Sequence, residues 1–176
     1  MAFRSAGAVT PQRVDNPVAR LLPIATTLLA TVISIQPAHI PGDAALTPAF
    51  TLMAVYHWTI YRPDLLPPLA LFLAGITQDL LAGGPPGVTA LVLLLARAVV
   101  LRQRRHFVNR PFPFVWAGFT VLSGGAMLFL WAVYCLLGGV VADFRGTVFH
   151  AALTISMFPI ASFLLGRAQR TLMGAG

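Results

Sequence analysis

The chain has 176 residues, of which 57% are hydrophobic and 10% charged, with a mean hydropathy of +0.80. A soluble globular domain carries roughly a quarter charged residues, so this composition excludes one and points to a polytopic membrane protein. All twelve basic residues are Arg and all five acids are Asp, for a net charge of +7; the arginines form no separate basic domain, which argues against a nucleic-acid partner.

Residues 1–20 carry Arg4, Arg13 and Arg20, and no short apolar run ending in small residues interrupts them. They read as a cytoplasmic tail rather than a cleaved signal peptide. A helix needs about 20 residues to cross a ~30 Å hydrocarbon core. Six candidate spans follow in order, at 21–40, 46–61, 65–82, 88–101, 114–141 and 147–165. The expected fold is therefore all-α, with a single six-helix transmembrane domain over 21–166 and a cytoplasmic tail over 167–176. Ten of the twelve arginines fall on one side of these spans, among them Arg62, Arg102, Arg104, Arg105, Arg110, Arg167 and Arg170, whereas the other side holds Arg145 with Asp43 and Asp143. The positive-inside rule then puts both termini in the cytoplasm.

In the second span, Tyr56, Trp58 and Tyr61 gather near the arginine-bearing end, where amphipathic rings settle at a headgroup boundary. His57 there and His150 in the sixth span each stand alone among apolar residues, without metal-ligand spacing, and read as packing residues. The third span carries Asp79 near its end, just before the turn Gly83-Gly84-Pro85-Pro86-Gly87. An acid in an apolar span costs on the order of 3 kcal/mol to insert, so it faces protein. At 100° per residue, Leu71, Gln78, Asp79 and Ala82 fall within about 60° of Gly75. This stripe of small and polar groups, with Gly87 of the turn, has three readings: a groove for another protein's transmembrane helix; a structural lock in which Asp79 binds backbone N–H groups of the turn, the hydroxyl of Thr89 or a group on another span; or a proton or ion site, though such paths usually recruit several intramembrane acids.

Arg97, one turn inside the fourth span, lies about 9 Å deeper than the residue level with Asp79, too far for a salt bridge. Its guanidinium is expected to snorkel to the cytoplasmic surface. The run Arg102 to His106 is a topology signal that can also attract anionic headgroups. In the fifth span, Ser123-Gly124-Gly125 invites a tilt or break; paired with His150 it lacks the Gly-x-Ser-Gly turn of an intramembrane serine protease, since position 121 is Val. The lone Cys135 has no second cysteine to pair with. Pro159 removes one backbone hydrogen bond from the sixth span and is expected to kink it, as Pro67-Pro68 does at the start of the third. No paired carboxylates or nucleophile with a neighbouring base stand out, unless the fold gathers Asp43, Asp79 and Asp143.

The ordered set Pro48, Tyr56, Trp58, Arg62-Pro63, Gly75, Gln78-Asp79-Leu80-Leu81, Gly83 or Gly84, Gly87 and Ala90-Leu91 resembles the rod shape-determining protein MreD family. Pro159, followed by an apolar run and a basic C-terminus, is similar to that family's ending. Val88-Thr89 and the longer Arg-bearing tail depart from it. The resemblance implies a six-helix fold similar to the substrate-binding subunits of energy-coupling-factor vitamin transporters. It also implies a non-enzymatic inner-membrane scaffold of the cell-elongation machinery, with no cofactor. MreC would be its direct partner and MreB, RodA and the partner transpeptidase its fellow complex members, within membrane lipid. The alternative from another class is a small-molecule binding subunit of a transporter. Such subunits grip their coupling module through an Ala-x-x-x-Ala pair in the first helix, whereas Ala25 and Ala30 here are five apart.

Overall fold

The computed structural model describes residues 17–35, 48–107, 110–138 and 144–173. Asp43, Asp143 and most of the N-terminal tail lie outside the described residues. Among those described there are six α-helices, one 3-10 turn and no strand: α1 (Pro17–Ile35), α2 (Phe50–Tyr61), the 3-10 turn (Pro63–Leu65), α3 (Pro68–Ala82), α4 (Val88–Phe107), α5 (Phe112–Gly138) and α6 (Phe144–Met173). Two stretches, Phe112–Leu137 and Phe144–Arg170, are long and apolar enough to cross a bilayer by themselves, while Leu21–Ser34 and Pro68–Ala82 are shorter apolar helices.

α2 is the centre of the bundle. Every residue from Thr51 to Ile60 is buried, because a helix that is apolar all round has no face to give to water and packs on every side. α1, α4 and α6 surround it. The aromatic residues expected at a headgroup boundary are instead core: Tyr56 is 1% and Trp58 0% exposed, and only Tyr61, at 39%, reaches the edge. Buried rings of this size need a partner for their polar tips. Here the Tyr56 hydroxyl donates to the Val115 carbonyl at 2.8 Å and Trp58 Nε1 donates to Thr26 Oγ1 at 2.9 Å. Phe119 and Phe158 stack on each other at 4.1 Å and meet Tyr56 edge-on at 5.2 and 5.6 Å, which fastens the α5–α6 pair to α2.

Polar groups of α1 complete the seam. Thr27 and Thr31 return their hydroxyls to the carbonyls of Pro23 and Thr27, and the N–H of Thr51 donates to Ser34 Oγ at 3.3 Å. At the far end of α2 the last carbonyls lack helical donors and carry the negative end of the dipole. Arg104 Nε donates to the Ile60 carbonyl at 2.8 Å, and Arg97 Nη2 reaches the Pro63 carbonyl at 3.5 Å. Arg97 therefore turns inward to the chain after α2 rather than snorkelling free. α5 continues through Ser123-Gly124-Gly125 and α6 through Pro159 without a break in helical assignment. In an apolar medium each freed backbone group costs several kcal/mol, so the helix persists unless protein supplies another partner.

Candidate functional site

The α3–α4 hairpin concentrates the polar and small residues singled out in the third span. Pro67 and Pro68 begin α3, with Pro68 at the first helical position, where its missing N–H costs nothing. Gly83 ends the helix in the left-handed region at φ 69°, a conformation that side chains with a Cβ rarely adopt. The N–H groups of Gly83 and Gly84 both reach the main-chain carbonyl of Asp79, the second at 3.1 Å. Gly87 is the other left-handed residue of the turn, at φ 96°.

The Asp79 side chain serves the opposite strand of the hairpin. Its carboxylate is 2% exposed. Oδ2 accepts the N–H of Gly87 at 2.7 Å and that of Thr89 at 3.1 Å, and Oδ1 lies 3.3 Å from the same Thr89 nitrogen. Gly87 immediately precedes α4 and Thr89 lies in its first turn, where N–H groups have no partner within the helix. A carboxylate on the positive end of that helix dipole forms charge-assisted bonds and gains from the dipole as well. One residue thus closes α3 with its carbonyl and opens α4 with its side chain. The Thr89 partner is its backbone N–H rather than its hydroxyl.

Gly75, one turn earlier, faces α4 directly. A Cβ built there would lie 2.3 Å from Ala90 Cα, 2.5 Å from Ala90 N and 2.8 Å from Ala90 Cβ. The two backbones are in contact, and only glycine fits. Gly84 sits beneath Tyr134 of α5, whose hydroxyl oxygen would be 3.0 Å from an added Cβ.

Of the residues expected in the stripe and the turn that follows it, Gly75, Asp79 and Gly87 come together against α4. Gln78 is half-buried, with its Oε1 enclosed and without a hydrogen-bond partner among the described residues, while Ala82 is exposed. The three prolines are dispersed. Pro48 accepts the N–H of Phe50 at 2.8 Å as α2 begins, Pro63 is buried in the 3-10 turn, and Pro159 is half-buried within α6. His57, 4% exposed, packs its ring against Trp58 and Tyr61. Sequence reasoning missed Ala90 as the partner of Gly75, and Ile60 with Arg104. The first pair gave no signal by depth, since Gly75 stands eight residues before Gly83 and Ala90 only three after Gly87. Among the described residues no group of three His, Cys, Asp or Glu side chains converges as a metal site would require.

Residues 17–168 match the family model described as rod shape-determining protein MreD. No curated protein and no solved structure matches the chain.

Proposed function

The chain belongs to the rod shape-determining protein MreD family, and from that membership in a family of membrane proteins that determine rod shape we propose a specific role: a non-enzymatic inner-membrane scaffold that binds MreC. With MreB, RodA and the partner transpeptidase it would help couple cytoplasmic filaments to peptidoglycan synthesis. In this reading residues 21–166 make one domain of six crossings and both termini are cytoplasmic.

The observation that carries the proposal is the family match over most of the chain. The hairpin geometry supports a scaffold in particular. Asp79 and the Gly75–Ala90 contact hold α3 and α4 as one rigid body, and Ala82 stands exposed on it. A surface already ordered loses little entropy when a second helix packs on it, and small residues let that helix approach closely.

The test uses the full chain co-purified with MreC in mild detergent, for two variants. Ala82→Trp lies on the exposed face, so MreC recovery falls while the melting temperature of the chain alone holds. Asp79→Leu removes the lock, so recovery and melting temperature fall together. Unchanged recovery for both variants, with cells still rod-shaped, would count decisively against the hairpin as the docking element.

A further inference from the structure

A crevice of about 300 Å³ opens between α4 and α5. Val99 and Gln103 line one wall, Ala117, Gly118 and Val121 the other, and Tyr56 closes the floor. We propose that this crevice binds an anionic phospholipid, with an acyl chain lying along the apolar walls and the headgroup phosphate held between Arg102 and Arg110.

Size selects the kind of occupant. A transmembrane helix with side chains is about 10–12 Å across and has no room in a gap between two adjacent helices. The volume equals roughly ten water molecules at about 30 Å³ each, which suits a length of hydrocarbon chain. The walls are apolar except for Gln103, which sits toward the arginine-bearing end of α4. A chain entering from the bilayer would therefore meet methyl and methylene groups first and polar groups last, as a phospholipid does.

Charge selects the headgroup. Arg102 precedes Gln103 on α4 and is exposed; Arg110 is exposed two residues before α5 begins, its guanidinium 5.5 Å from the centre of the Phe114 ring. The start of a helix carries partial positive charge and normally attracts acidic residues. α5 has none in its first turn and has Arg110 beside it instead. Positive charge thus stands beside the start of α5 with no acid in that first turn to offset it. Arg104, by contrast, is engaged with the Ile60 carbonyl and belongs to the α2 clamp.

The test measures thermal unfolding of the full chain in mild detergent with added phosphatidylglycerol, with phosphatidylcholine of the same acyl chains, and with inorganic phosphate. Phosphatidylglycerol should raise the melting temperature at lower concentration than phosphatidylcholine, and phosphate alone should not raise it. Replacing Arg102 and Arg110 by Gln should weaken the phosphatidylglycerol response by about fivefold per arginine and bring it toward the phosphatidylcholine response. Ala117→Phe, which fills the crevice from an exposed position, should weaken the response to both lipids. Equal responses to the two lipids in the unaltered chain would overturn the headgroup assignment, and equal stabilisation by phosphate would reduce the site to a bare anion site. An undiminished response in both the arginine and the Ala117→Phe variants would remove the crevice from consideration. If Ala117→Phe fails to fold, the arginine pair decides alone.

Discussion

Asp79 is buried, and two backbone donors at the start of α4 depend on its carboxylate. Leaving a buried N–H without a partner costs about 1–3 kcal/mol. Asp79→Leu orphans both donors and should destabilise the chain by roughly 2–6 kcal/mol on that scale. Asp79→Asn keeps one acceptor oxygen but turns its own N–H donors toward the rest, so it should fall between the two. Denaturant titration of the three proteins checks the order; an Asn variant as unstable as the Leu variant would show that charge, not acceptor count, governs the site. Gly75 acts through shape. Gly75→Ala should cost about 1–3 kcal/mol, the usual range for overpacking a close contact. The clash is with the Cα and N of Ala90, not only its methyl group. Ala90→Gly should therefore fail to restore the stability of Gly75→Ala, and recovery in the double variant would refute a backbone-to-backbone contact.

Between elements, the decisive contacts join residues far apart in the chain. Tyr56 holds the α5–α6 pair through one hydrogen bond and two ring contacts. Tyr56→Phe removes only the hydroxyl and should cost about 0.5–1.5 kcal/mol. Tyr56→Ala removes the ring as well and should cost about 3–5 kcal/mol. Limited proteolysis of the loop before α5 should be accelerated by the second variant far more than by the first. These contacts also show what could be read without coordinates. Apolar runs located the helices well: the third span, expected over 65–82, begins three residues later at Pro68 and ends where expected. The fourth was expected to stop at Leu101, where hydropathy falls, yet α4 runs on to Phe107. Arg and Gln are good helix formers, so the helix outlasts its apolar stretch. Tyr56 and Trp58 were misread because a cluster of aromatic rings near a span's end looks alike whether it meets headgroups or a core. Only Val115 and Thr26, from distant segments, decide that question, and nothing local to α2 announces them.

At the scale of the whole molecule, helix lengths and arginine positions tie the hairpin lock to the membrane. The 15 residues of α3 rise only about 22 Å, less than a hydrocarbon core of about 30 Å. As one of the six crossings proposed above, α3 would set the Gly83–Gly87 turn at the edge of the apolar region, where N–H groups on its inner side find little water while its tip at Pro86 stays exposed. An internal carboxylate is then the natural acceptor for the start of α4, and the αL glycine and the carbonyl of Asp79 complete the turn without solvent. The ends of α2, α4 and α6 and the start of α5 lie at the opposite pole, with Arg62, Arg102, Arg105, Arg110, Arg167 and Arg170 in or beside them. Positive charge on that pole should hold it in the cytoplasm. Replacing Cys135 by Ser allows single cysteines to report each pole: Pro86→Cys in the turn and Arg105→Cys near the end of α4, both at exposed positions. A membrane-impermeant maleimide added to cells whose outer membrane has been opened should label Pro86→Cys at once and Arg105→Cys only after the inner membrane is breached. Labelling of both before breach would mean that the α3–α4 hairpin does not cross the membrane, and the need for an internal cap would lose its explanation.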